Sequence, residues 1–279
     1  MWQIDRTWTG VKWFIEADVK DCFGSLDHGV LMSVMAEDIH DARFMELVRR
    51  MLKAGYLEDW EYHPTYSGAP QGGVLSPLLS NIYLDRLDRS VEDTLIPRHT
   101  RGARRRHNPV WHRLAGLETR ARRRGDQDAR QRFREQRERV PSSDQADPGH
   151  RRLRYSRYAD DHLLGFAGPR KEAEQIKQEL GEFLARDLKL TLSESKTLIT
   201  HASTGKARRL GYDFATHTRR SSMGRPHLAG NIRLLVPGEV VRQQAKPYLR
   251  AGKPVSLPQL VQADDYTVVA YYGAKYRGV

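Results

Sequence analysis

The chain predicts an α+β fold, with helices packed on a mainly antiparallel sheet. Three observations carry this expectation: short runs alternate with period 2, longer runs repeat every 3.6 residues, and the two kinds interleave as strand, helices, hairpin, helix, strands. With 279 residues, 39% of them hydrophobic, there is enough apolar material for a sizeable core.

Each element has its own signal. Trp13, Ile15, Ala17 and Val19 alternate with Phe14, Glu16 and Asp18, which predicts a strand with Asp18 near its end and on the face of Glu16. Asp41 can cap a helix whose apolar positions Phe44, Leu47, Val48, Met51 and Leu52 form one stripe, stopped by Gly55. Trp60 to Tyr66 reads as a short extended piece, and Ser67 to Gly73 as a glycine-rich loop. Ser76 as N-cap with Pro77 at the first position opens a second helix running to about Val91. Later, Leu153, Tyr155 and Arg157 alternate into Tyr158-Ala159-Asp160-Asp161, and His162, Leu164 and Phe166 alternate out again, so two strands meet at an acidic tip. Gly168-Pro169 ends that hairpin. Ala173, Ile176, Leu180, Phe183 and Leu184 then mark an amphipathic helix, followed by expected strands at Leu188 to Leu192, Lys196 to Thr200 and Arg209 to Phe214. Beyond Thr218 five prolines, from Pro226 to Pro258, break the pattern into short pieces.

Charge separates one region from the rest. The sequence carries 47 Lys+Arg against 35 Asp+Glu, a net +12, and +11 of it falls between Thr94 and Arg154, where 18 arginines meet no lysine and 7 acids. Guanidinium pairs bidentately with phosphate, so this block points to a nucleic-acid backbone; the alternative is a solvated arm. No apolar stretch approaches the roughly 18 residues of a bilayer span. The N-terminus shows no secretory signal, so no membrane partner and a cytoplasmic location are expected. A single cysteine, Cys22, excludes an intrachain disulfide and a cysteine-built zinc site.

A tandem acid at a hairpin tip is by itself only a turn. It gains meaning from Asp18, the carboxylate that the same layer can bring alongside Asp160 and Asp161. Three hard oxygen donors suit Mg²⁺, and two such ions serve in-line transfer to a 3′-hydroxyl.

These residues stand in ordered blocks that resemble the reverse transcriptases encoded by group II introns. Phe14 to His28 (FIEADVKDCFGSLDH) is similar to the first catalytic block, Ala69 to Asp88 (APQGGVLSPLLSNIYLDRLD) to the helix-loop block, and Tyr158 to Asp161 (YADD) to the polymerase signature. Leu190 to Thr197 (LTLSESKT) resembles the next block, and Leu210 to Phe214 (LGYDF) the primer grip. The resemblance implies a right-hand polymerase palm with partial fingers, an Arg-rich insertion and the start of a thumb. Its divisions are residues 1–93, palm and fingers with the first catalytic Asp; 94–152, the insertion; 153–218, palm with the YADD hairpin and primer grip; and 219–279, partial thumb.

Carried over residue by residue, the resemblance implies RNA-directed DNA polymerase activity. Asp18, Asp160 and the backbone carbonyl of Val19 would bind two Mg²⁺ ions, with Mn²⁺ as the alternative, and Asp161 would complete the acidic cluster. Lys196 would protonate departing pyrophosphate. Phe23 would stack on the deoxyribose, Gln71 and Gly72 would support the nascent base pair, and Tyr158 would face the substrate. Leu210, Gly211 and Tyr212 would grip the primer. Arg104, Arg105, Arg106, Arg122, Arg123 and Arg124 are the expected RNA contacts. The implied partners are an intron RNA template, a DNA primer and dNTPs. The first catalytic block lies almost at the start of the chain, which implies that the remaining fingers come from a missing segment or a second protomer. Asp21 and Gly24 also replace what is more often Gly and Asp. Two further readings stand beside the polymerase: a catalytically incompetent splicing cofactor of maturase type, and a two-metal nuclease, for which Phe23 and Gln71 have no use.

Overall fold

The computed structural model describes residues 2–58, 60–63, 67–69, 73–144, 146–220 and 226–277. Helix α1 (Trp2–Thr7) leads into β1 (Trp13–Asp18). Helices α2 (His28–Met35) and α3 (Ala42–Lys53) are each capped by an aspartate: Asp27 accepts from the Val30 N–H, and Asp41 from those of Arg43 and Phe44. A small hairpin, β2 (Tyr56–Glu58) with β3 (Glu61–His63), precedes α4 (Ser76–Ser90), which runs on through a π-helical turn at Val91–Leu95 into α5 (Ile96–Arg98). Helices α6 (Pro109–Arg123) and α7 (Gln127–Glu138) follow, then β4 (Arg152–Tyr158), β5 (Asp161–Ala167) and α8 (Arg170–Asp187). The remainder comprises β6 (Ile199–His201), β7 (Ala207–Arg209), β8 (Tyr212–Arg220), β9 (Pro226–Leu235), α9 (Gly238–Ala245), β10 (Leu249–Arg250), β11 (Lys253–Pro254) and α10 (Asp265–Arg277).

The central sheet has the order β4-β5-β1-β6, with every neighbouring pair antiparallel, and β7-β8-β9 form a second antiparallel sheet. Period-2 alternation divides the central sheet's faces. Ile15, Ala17, Leu164 and Phe166 point to a helical layer that includes Leu31, Tyr83, Leu87, Ile176 and Leu180. Phe14 and Leu163 point the other way, to Ile4, Trp8, Phe214 and Ile232. Fully burying such a side chain contributes about 1.5–3 kcal/mol, so both faces are fixed and a register slip between β1 and β5 would cost both cores. On the second face Gly165 has a steric reason: a Cβ there would lie 2.5 Å from the Trp8 ring.

The Arg-rich region is a helical hairpin. Asn108 caps α6 and Asp126 caps α7, and Arg137 of α7 binds Glu118 of α6 at 2.8 Å while stacking over Trp111. The segment leaves and returns through two isolated antiparallel bridges, Arg101 with Arg151, whose two hydrogen bonds measure 3.0 and 2.9 Å, and His107 with Ser143.

Several local expectations change. Leu188 to Leu192 is not a strand; it holds only an isolated bridge between Leu192 and Val19. The expected strand over Arg209 to Phe214 breaks at Leu210 and Gly211, both at positive φ, which make the two-residue turn between β7 and β8. Lys196 lies in a turn before β6. Ser76 is the first helical residue of α4 rather than its cap, which is Leu75. The turn at Trp60 joins β2 to β3, and the end of the expected extended piece lies outside the described residues. In α3 only Val48 and Leu52 of the predicted stripe are buried; Phe44, Leu47 and Met51 face outward. Among the described residues no helix is long and apolar enough to cross a membrane.

Candidate active site

The acidic residues meet because of strand register. Asp18, the last residue of β1, is the direct partner of Asp161, the first of β5, and Asp161 is in turn the partner of Tyr158 at the end of β4. Directly opposed residues share a face, with Cβ atoms roughly 5 Å apart, so both carboxylates project from the face opposite the helical layer. Asp160 occupies the turn beside them, after Ala159 at φ +52°. Its charge, with that of Asp18, helps push up both the Asp161 carboxyl and the Cys22 thiol; burial is the larger cause for each, and the thiol reaches about 12.

Two cations answer this negative field. Lys196 Nζ lies 3.3 Å from Asp18 Oδ2. Arg209, only 3% exposed, places its guanidinium 3.9 Å from Asp161 Oδ1 and donates to the Asp161 carbonyl at 3.4 Å. The Leu210 N–H, at the tip of the β7–β8 hairpin, also points to Asp161 Oδ2 at 3.4 Å. Glu16 shares the acidic face but serves the scaffold: its carboxylate accepts from the Arg208 N–H at 2.7 Å and the Thr200 hydroxyl at 3.1 Å, tying β7 to β1. Burial holds its carboxyl above the usual range.

The segment after β1 is also anchored. Tyr83 accepts from the Asp27 N–H and donates to the Leu188 carbonyl at 2.6 Å, while Lys189 binds the Asp27 carboxylate at 2.7 Å. Phe23 lies half-buried in the turn between these anchors. The entry of the glycine-rich loop is laid across that turn. Ala69 N–H donates to the Phe23 carbonyl at 2.8 Å, Ser67 Oγ donates to that of Gly24, and His28 Nε2 meets the Gly68 carbonyl at 2.7 Å. A Cβ at Gly68, which has φ +79°, would fall 2.5 Å from the Phe23 carbonyl oxygen, so only glycine permits this approach. Gln71 and Gly72 lie outside the described residues.

Asp18, Asp161, Lys196 and the Leu210-Gly211 tip are thus brought together with the Asp160 turn, and Tyr158 stands exposed beside them. Tyr212 packs into the second core instead of facing the acids. The Arg-rich segment joins β4 at its far end, roughly 20 Å away at 3.4 Å per residue. There Arg104, Arg106, Arg122, Arg123 and Arg124 are exposed, while Arg105 is half-buried and donates to the Gly10 carbonyl at 2.8 Å. Sequence reasoning missed Arg209, His28 and Gly68. Arg209 directly precedes the LGYDF motif, yet nothing in a one-dimensional pattern separates a buried arginine from its exposed neighbour Arg208.

The donor set fits a hard divalent cation. Carboxylates come from adjacent strand ends, and the bridge hydrogen bonds at Val19 run from the Lys20 N–H to Thr191 and from the Ser193 N–H to the Asp18 carbonyl, so the Val19 carbonyl takes no part in them. Among the described residues no three or more His, Cys, Asp or Glu side chains are grouped so as to hold a metal ion by themselves.

An antiparallel sheet backed by helices, with acids at the abutting ends of its central strands, is a polymerase-like palm. Residues 3–110 match the reverse transcriptase (RNA-dependent DNA polymerase) family. The group II intron-encoded protein LtrA of Lactococcus lactis subsp. cremoris is 35% identical over 304 residues, covering 99% of this chain and 49% of that protein. A putative COX1/OXI3 intron 1 protein of Saccharomyces cerevisiae is 34% identical over 216 residues, 77% of this chain and 25% of that one. The chain belongs to the reverse transcriptases and maturases encoded by group II introns. It spans about half the length of the LtrA relative, or less of the others named here. Telomerase from Candida albicans in complex with a telomeric RNA fragment superposes with a TM-score of 0.45 at 14% identity, covering 98% of this chain and 35% of that one; the assignment rests on sequence alone.

Proposed function

We propose that this chain forms the catalytic palm of an RNA-directed DNA polymerase that extends a DNA primer on intron RNA. The observation that supports this most is the direct pairing of Asp18 with Asp161 beside the Asp160 turn, with the β7–β8 tip against them. Asp18, Asp160 and the Val19 carbonyl would hold Mg²⁺, with Asp161 completing the field. When bound, two such ions activate the primer 3′-hydroxyl and stabilise the leaving pyrophosphate. The chain's own residues do the rest. Lys196, already beside Asp18, supplies a proton to the departing pyrophosphate. The Leu210-Gly211 turn presents backbone to the primer end, and Tyr158 flanks the same row. Gln71 and Gly72 support the new base pair from a loop whose entry is fixed on the Phe23 turn. The test is extension of a DNA primer on an RNA template with Mg²⁺, using the full chain; no extension by the wild type, with primer-template binding intact, would favour the splicing-cofactor reading.

Phe23, half-buried in its turn, is read as the sugar gate, its ring taking the space that a ribose 2′-hydroxyl would need. Phe23→Val is expected to raise ribonucleotide use relative to deoxynucleotide use by about 10- to 100-fold, the scale on which pocket shape discriminates. The ratio of kcat/KM values for dNTP and rNTP measures this, and an unaltered ratio removes Phe23 from the sugar gate.

The insertion, residues 94–152, is read as an RNA-backbone contact, and the segment from 219 as the start of a thumb. Replacing Arg104, Arg106, Arg122, Arg123 and Arg124 by Gln should flatten the dependence of log K on log salt by about 0.7–0.9 for each phosphate that is no longer neutralised. An unchanged slope in filter binding would assign the arginines to solubility.

A further inference from the structure

One guanidinium reaches both the acidic turn and the helix that follows the glycine-rich loop. Arg157 of β4 donates from Nε and Nη2 to the two oxygens of Asp88 at 2.9 and 2.6 Å, and from Nη1 to Asn81 Oδ1 at 2.8 Å and to the Ala159 carbonyl at 2.9 Å. Asp88 and Asn81 stand two turns apart on α4, and Tyr155 adds its hydroxyl to Asp88 at 2.8 Å. The Arg157 side chain is only 12% exposed, so the pair is shielded from the solvent that weakens surface ion pairs. Ala159, whose carbonyl Arg157 holds, is the non-glycine residue at φ +52° immediately before Asp160. A left-handed alanine persists only where its surroundings hold it.

We propose that Arg157 is a positioning residue: it fixes the backbone that carries Asp160 to α4, so that the helix and the acidic turn keep one relative geometry. Helix α4 begins directly after that loop, where the Ser76 N–H binds the Gly73 carbonyl at 3.2 Å. The planar fork is essential, because four bonds to three residues require donors spread over Nε, Nη1 and Nη2, which a lysine ammonium cannot supply. The inference rests on the polymerase reading of the acidic cluster, and it concerns how that cluster is held.

The test uses the full chain, Mn²⁺ as the probe ion and Arg157→Lys, which keeps the charge beside Asp88. Free Mn²⁺ is followed by electron paramagnetic resonance, primer extension gives kcat and the dNTP KM, and a thermal unfolding midpoint is taken on each protein. Outer-shell partners of a metal site typically change affinity or activity by 10- to 100-fold. Arg157→Lys should therefore weaken Mn²⁺ binding about tenfold and lower kcat about 10- to 100-fold, with the dNTP KM little changed. Asp88→Asn, which keeps the shape and one acceptor, should lose less of both and serves if Arg157→Lys does not fold. A folded Arg157→Lys protein with wild-type Mn²⁺ affinity and kcat overturns the proposal while leaving the polymerase reading standing. A wild-type chain that neither binds Mn²⁺ nor extends primers overturns both.

Discussion

Asp160→Asn is expected to lower primer extension by about three orders of magnitude or more, roughly 4 kcal/mol of transition-state stabilisation at about 1.4 kcal/mol per tenfold. The substitution keeps size and shape and removes a hard anionic donor, so its effect falls on ion binding rather than on packing. Use of dNTP and rNTP should fall together, unlike the selective shift expected for Phe23→Val. Single-turnover extension measures the loss, and circular dichroism checks that the sheet survives. Activity within tenfold of wild type would show that the YADD turn is not the ion-binding centre.

His162 should make the fold sensitive to acid. Its ring is buried on the helical face, stacked near Tyr155 with centroids 6.4 Å apart, and neither nitrogen has a hydrogen-bond partner among the described residues. Burial, with the nearby Arg157 charge, brings its pKa down from 6.5 to about 4. The unfolded chain therefore takes up this proton first. Stability is fully present above about pH 6.5 and is lost as pH falls from there toward 4, by about 3 kcal/mol at 1.36 kcal/mol per pH unit. His162→Phe should flatten the urea-unfolding free energy over that window, because an apolar ring leaves no orphaned nitrogen and cannot charge. An equally steep loss in the variant would place the acid sensitivity in other groups.

Much of this site was legible because the relevant signals are local. The alternation around Asp18 and on both sides of Asp160-Asp161 fixes which residues share a face, and the antiparallel pairing follows. Contacts between distant segments leave no such trace: Asp161 meets Arg209 and Leu210 from another sheet, and Lys196 meets Asp18 from a turn where the pattern suggested a strand. Positive φ at Leu210 also hid a turn inside a run that reads as one strand, because leucine carries no turn signal. The helices of the Arg-rich segment have readable caps, Asn108 followed by Pro109 and Asp126 followed by Gln127. In α3 the apolar stripe was correctly periodic; only tertiary packing decides that Val48 and Leu52 are covered while Phe44 and Met51 are not.

The bridge between Arg101 and Arg151 makes the helical hairpin a cartridge. Its two ends are held side by side, backed by the inward Arg105 and by Arg151 bound to Glu172 at 2.6 Å on α8. Doubling the length of a flexible closed loop costs only about 0.6 kcal/mol in chain entropy. What lies between the ends can therefore be lengthened, shortened or exchanged for another helical hairpin, and the register that aligns Asp18 with Asp161 need not move.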